Sequence, residues 1–152
     1  MAIFREALIR HLREDTASGG LVEKLDNTAT RVRSKGLIKA SSTFPMVGVE
    51  MAHTSGSPRM RPHTDQLVNI YVYTRVEATN VPDLITLDEI VGLVISRLNN
   101  VEVSDMTATI DDDFKPWVIM FDGYISRDRR DDLIRADYRW IRFRVAGVRT
   151  ST

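Results

Sequence analysis

Over residues 2–14, "AIFREALIRHLRE" sets Phe4, Ala7, Leu8, His11 and Leu12 along one helical face and leaves Arg5, Glu6, Arg10 and Arg13 elsewhere, which predicts a helix that packs by a single stripe. "TASGG" at 16–20 stops it, and "LVEKL" at 21–25 adds a further turn or two. From Asp26 to Thr43 the pattern weakens. "TRVRS" allows a short strand, whereas Gly36 and "ASST" suit a loop, so Arg31, Arg33, Lys35 and Lys39 read as a solvated connection.

Alternation then takes over. "FPMVGVEMAH" at 44–53 puts Val47, Val49 and Met51 on one side of a strand, with Pro45 near its start, where a missing donor is tolerated. "DQLVNIYVYTRV" at 65–76 alternates most clearly: Val68, Ile70, Val72 and Val76 against Leu67, Asn69, Tyr71, Tyr73 and Arg75. Between the two, "TSGSPRMRPHT" at 54–64 is a long hairpin loop of the kind that is either functional or mobile.

A second main helix is predicted over "VPDLITLDEIVGLVISRLNN", 81–100, with Leu84, Leu87, Val91, Val94 and Leu98, joined by Ile90 and Ile95, as a stripe wide enough to cover a sheet. Thr86 and Glu89 have capping-box spacing, although Asp83 after Pro82 would cap an earlier start. Strands follow at 101–110, 116–125 and 133–149, separated by "DDDFK" and "SRDRRDD". The expectation is one α+β domain over 1–152: a mostly antiparallel sheet of about five strands with two main helices packed on it.

Composition narrows the chemistry. A chain of 152 residues with 43% hydrophobic and 28% charged residues suits one ordinary core. Lys plus Arg equals Asp plus Glu at 21 each, so any electrostatic role belongs to local patches rather than to the whole surface. The absence of cysteine excludes disulfides, thiolate zinc sites and a cysteine nucleophile. Charges throughout the first helix break the apolar core a secretory signal needs, and no run approaches the roughly 18 apolar residues of a membrane span, so a soluble protein is expected.

Candidate sites are few. His53, His63 and Asp65 invite a metal reading, but they flank a long loop without the close spacing of a helical metal motif. Asp111, Asp112 and Asp113 suit a solvated turn better than a magnesium site. Phosphate-loop, dinucleotide and nucleophile-elbow patterns are missing, so catalytic residues, metals and cofactors are all expected to be none and the protein is expected not to be an enzyme.

The last strand poses the sharper question. In "LIRADYRWIRFRVAGVR", Ile141, Phe143 and Val145 share one face, while Tyr138, Trp140, Arg142 and Arg144 share the other. The strand before it likewise carries Trp117, Ile119, Phe121 and Ile125 on one side and Val118, Met120 and Tyr124 on the other. Apolar groups on both faces of an antiparallel sheet imply cover on both. Two helices account for one face. On the second, Tyr71, Tyr73, Arg75, Met120, Tyr124, Tyr138, Trp140, Arg142 and Arg144 have the aromatic, Met and Arg enrichment of a subunit interface, the arginines pairing with acids such as Asp122 or Asp111–Asp113 of a neighbour. The alternative is that the first helix packs on that side. A nucleic-acid stacking platform built on Tyr138 and Trp140 is weakened by the acids at 122, 128, 131 and 132.

The order of these features resembles the tail terminator, or tail-completion, proteins of long-tailed bacteriophages of the lambda type. It rests on "FREALIRHLRED", "TRVRS" followed by "FPMVGVEM", a long loop before "QLVNIYVYTR", the helix "LDEIVGLVISRLNN" and the closing "DYRWIRFRV". The resemblance implies a homo-oligomeric, hexameric ring in the virion tail, assembled in the host cytoplasm. Such a ring caps the head-proximal end of the tail tube, ends tube polymerisation and presents a surface to head-completion proteins. DNA meets it only in passing through, and no membrane is involved. By the same resemblance Arg59, Met60, Arg61 and His63 are tube-contact candidates in the loop. Another head–tail connector subunit, or an unrelated α+β oligomer, would share the architecture.

Overall fold

The computed structural model describes residues 2–52, 63–76, 82–102 and 114–149. Its helices are α1 (Ala2–Arg13), α2 (Leu21–Lys24) and α3 (Leu84–Leu98). Its strands are β1 (Val32–Ser34), β2 (Met46–Met51), β3 (His63–Arg75), β4 (Val101–Glu102), β5 (Phe114–Ile125), β6 (Arg129–Asp131) and β7 (Ala136–Arg149).

The break after α1 does more than end a helix. Gly19 adopts φ 77°, and a side chain on Gly20 would meet the Asp15 carboxylate at 2.7 Å. That close approach lets the Leu21 N–H donate to Asp15 Oδ2 at 2.9 Å and the Val22 N–H to the Asp15 carbonyl at 3.1 Å, which ties α2 back onto α1. α3 starts at the earlier of its two possible caps. Asp83 accepts the Thr86 N–H at 3.1 Å and its hydroxyl at 2.6 Å, so Thr86 supports the cap rather than being it. Glu89 turns instead to Lys24 of α2 at 3.2 Å. The start leaves Leu84, the first member of the predicted stripe, exposed and Ile95 half-buried, while Leu87, Ile90, Val91, Val94 and Leu98 are buried.

Seven strands form one sheet in the order β1-β2-β3-β7-β5-β4, with β6 also on β7. This exceeds the five expected, and β1 runs parallel to β2 in an otherwise antiparallel sheet. The additional strands β1 and β6 span only three residues each, too few to display alternation. β5 carries register shifts at Pro116/Val118 and Phe121/Tyr124. At the second, Gly123 takes φ 75° and a pair of residues is added, so Tyr124 and Ile125 regain the faces that alternation assigns them. Ser126 then stitches the end of β5 to β7. Its N–H donates to the Trp140 carbonyl at 2.9 Å, and its Oγ accepts the Trp140 N–H at 2.9 Å.

α1, α2 and α3 all lie on one face of the sheet, where Phe4, Leu8, Leu12, Leu21, Leu87, Ile90 and Val94 pack against Val47, Val49, Val68, Ile70, Val72, Ile119, Ile141, Phe143 and Val145. Arg97 Nε donates to the His11 carbonyl at 3.0 Å and joins α3 to α1. The first helix therefore does not cover the second face.

Candidate functional site

The second face is continuous across β3, β7 and β5 because register places its residues in rows: Tyr73 opposite Tyr138, Tyr71 opposite Trp140, and Asn69 opposite Arg142, which in turn faces Tyr124. The expected interface residues Tyr71, Tyr73, Arg75, Met120, Tyr124, Tyr138, Trp140, Arg142 and Arg144 thus share one side of the sheet. Its two halves differ in what covers them.

The first half is covered by the chain itself. The parallel β1–β2 pair forces its connection to run back along the sheet, and residues 35–45 do so over this face. Ile38, Met46, Tyr73 and Ala136 form a second small core, with Phe44, Tyr71, Ile134 and Tyr138 packed against it. Tyr73 is only 2% exposed, so it supports the surface rather than forming it. The tyrosines cluster: Tyr71 stacks on Tyr73 with centroids 6.0 Å apart, and Tyr138 meets both at a tilt, 5.4 Å from Tyr73 and 5.9 Å from Tyr71. Arg75 is engaged by the same strap, its guanidinium 4.5 Å over the Phe44 ring and its Nη2 donating to the Ser42 carbonyl at 2.8 Å. Lys35 Nζ lies 4.5 Å over the Tyr71 ring and 3.6 Å from Glu50, which accepts the Tyr71 hydroxyl at 3.1 Å. Burial, then the Glu50 charge, pushes the Tyr71 phenol up to about 12, and burial first and the Tyr71 charge second push Tyr73 up as well.

Gly48 admits the strap. A Cβ there would lie 2.9 Å from Ile38 Cδ1 and 3.1 Å from Lys35 Cα. A glycine inside a strand is a sequence sign of close backbone approach, and it is the signal that could have pointed to the strap. Residues 35–45 are accordingly no solvated connection.

Among the described residues the second half has no such strap. Tyr124 and Trp140 have centroids 4.7 Å apart, and the Arg142 guanidinium sits 5.3 Å from the first ring and 5.2 Å from the second. Arg142 Nε and, in the same row, Asn69 Oδ1 are buried and have no hydrogen-bond partner among the described residues. Arg144 pairs with Asp122 of its own chain at 2.8 Å, so that acid is not held in reserve for a neighbour. Tyr124 remains 42% exposed, with Met120, Trp140 and Arg142 half-buried.

Arg139 of β7 faces the other way. It bridges Asp128 and the α3 residue Asp88, and these hydrogen bonds raise its pKa. Arg130 grips the buried Asp137 at 2.8 Å. Of the acids that weakened the nucleic-acid reading, Asp122 and Asp128 do pair with arginines of this region, Arg144 and Arg139.

The loop candidates Arg59, Met60 and Arg61 lie outside the described residues, as do His53 and Asp111–Asp113; His63 opens β3, its backbone opposite Val148. Among the described residues no group of three His, Asp or Glu side chains gathers for a metal, and no helix is long and apolar enough to cross a membrane.

No family model and no curated protein matches the chain. Among solved structures, it shares its fold with a protein described as "Virion of native gene transfer agent (GTA) particle", with a TM-score of 0.60 and 15% identity, covering 95% of this chain and 93% of that one.

Proposed function

We propose that this chain is a structural subunit of a virion, and within the virion a tail terminator. In this reading it forms a homo-oligomeric ring, a hexamer, that caps the head-proximal end of a long tail tube, ends tube polymerisation and offers a joining surface to head-completion proteins, with DNA passing through its lumen. The role is structural rather than enzymatic. It is played out in the virion tail after assembly in the host cytoplasm.

The observation that carries the virion part is the fold shared over almost the full length of both chains with a gene transfer agent virion protein. The terminator part rests on the order of helix, strands, long loop and closing aromatic-arginine strand. Ring formation needs a heterologous surface that closes by rotation. The half of the sheet face holding Met120, Tyr124, Trp140, Arg142 and Arg144 has the composition for it, and the loop with Arg59, Met60, Arg61 and His63 supplies the tube contact.

Negative-stain images of the purified protein added to tail tubes are the test. Sixfold rings on one tube end, with tube growth halted, are the expected outcome. Binding to heads but not to tubes would replace the terminator with another neck subunit, since the fold alone suits both. Reversing Arg142 and Arg144 to Glu weakens ring assembly while the monomer stays folded; unchanged assembly would remove the interface assignment.

A further inference from the structure

The patch on the second half of the sheet face has no complement among the described residues, and another part of the same chain has one to offer. The β6–β7 turn ends in Asp132 and Leu133, both exposed, Leu133 at 89%. A large apolar side chain that bare is unusual at the tip of an ordered turn, and this turn is ordered. The Leu133 and Ile134 N–H groups donate to Asp131 Oδ1 at 3.0 Å and 3.4 Å, and the Arg130–Asp137 pair fixes the base of the hairpin. An apolar side chain beside a carboxylate, held on a preformed turn, matches a half-buried Arg142 guanidinium set between the Trp140 ring and the exposed Tyr124 ring. The Asp132 charge also reaches Arg130, but that guanidinium is already committed to Asp137.

The tip cannot serve its own patch. The tip lies in the turn before β7 and the patch further along that strand, which advances about 3.4 Å per residue, so about 14 Å separates Ala136, where the turn ends, from Trp140 and about 20 Å separates it from Arg142. Any contact between tip and patch is between two molecules.

We infer that the Asp132–Leu133 tip of one copy docks on the Tyr124–Trp140–Arg142 patch of the next copy, Leu133 against the rings and Asp132 toward the Arg142 guanidinium. The inference rests on the reading of this sheet face as an intersubunit surface and deepens it by naming the occupant. Tip and patch are different surfaces, so the contact is head-to-tail, and it makes a ring if the rotation closes. The contact of tip on patch also predicts that one variant at either side suffices to weaken assembly.

The chain has no cysteine, which allows a clean crosslinking test. The full-length Leu133→Cys/Tyr124→Cys double variant, oxidised at millimolar concentration, is expected to give a covalent ladder that ends at the ring size, while Leu133→Cys alone gives dimers at most. In light scattering, Asp132→Arg and Arg142→Glu each weaken self-association about tenfold or more, and combining them restores it. Near-ultraviolet circular dichroism checks that the Arg142→Glu chain is folded; Arg142→Gln serves in its place if it is not. Loss of assembly in Arg142→Glu and Trp140→Ala with no ladder and a normal Asp132→Arg chain overturns the tip as occupant but leaves the face an interface. Unchanged assembly in all variants, or a wild-type chain that neither associates nor crosslinks, overturns both.

Discussion

The helix-covered face of the sheet is lined by Val68, Ile70, Val72, Ile141, Phe143 and Val145, all buried, whereas the opposite face mixes tyrosines, a tryptophan and arginines and is closed by the chain's own strap over only part of its area. Both faces are built on the same strands. The difference lies in what each residue type requires of its cover. Aliphatic groups need only exclusion from water, at about 25 cal/mol per Å² of apolar area, and any helix stripe of matching shape supplies it. An arginine set between aromatic rings needs exclusion for the rings and hydrogen-bond partners for its nitrogens at once. The strap meets that double demand for Arg75 through Phe44 and the Ser42 carbonyl; for Arg142 the described residues do not.

The comparison breaks most directly by truncating one large side chain on each face. Phe143→Ala on the helix face is expected to lower stability by about 3–5 kcal/mol. Trp140→Ala is expected to lower it clearly less, because its ring is already half in water, yet to reduce assembly far more. Urea denaturation paired with light scattering reads both, and equal stability losses would mean the two faces are buried alike. Next in size, Gly48→Val drives a side chain into Ile38 and Lys35 and should cost about 1–3 kcal/mol. Faster hydrogen exchange over residues 35–45, with α1 and α3 unaffected, would mark the strap as a unit separate from the helix core.

Smaller effects sharpen the contrast. Arg135 holds φ 53° at the end of the β6–β7 turn, so Arg135→Gly should stabilise the monomer by about 0.5–1 kcal/mol without changing either face. A thermal melt that drops instead would show the arginine side chain to be engaged.

The faces should also respond to opposite ends of the pH scale. Burial, then Arg97, lowers the His11 pKa from its ordinary 6.5, so the unfolded chain binds the proton first and stability falls as pH drops through 6.5. The raised Tyr71 phenol keeps its proton in the fold while the unfolded chain loses it, so stability falls as pH rises from 10.0 toward about 12. His11→Gln should flatten the acid limb, and Tyr71→Phe the alkaline one, of stability measured against pH. An acid limb unchanged in His11→Gln would assign that limb to other groups.

How much of this is legible in the sequence depends on the length over which a pattern runs. β3 and β7 extend over 13 and 14 residues, and their alternation assigns every side chain to a face, including Tyr71, Tyr73, Arg75, Tyr138, Trp140, Arg142 and Arg144. The stripe of α3 likewise identifies its buried side, apart from Leu84 in the first turn. β1 and β6 are too short for periodicity to register, which is why a sheet of five strands is expected and seven are found. Within the candidate surface, the residue types announce a covered face, but Ile38, Phe44 and Gly48 carry no mark of belonging to it beyond a glycine in mid-strand.

The amino-acid sequence by itself determined the helices, the long strands and the two-faced character of the sheet, because backbone geometry turns periods of about 3.6 and 2 residues directly into faces. Only the tertiary structure decided that α1 joins α3 on one side and that residues 35–45 fold over half of the other. Those outcomes are contacts between segments far apart in the chain, chosen by shape and by the parallel pairing of β1 with β2, and no local pattern encodes them.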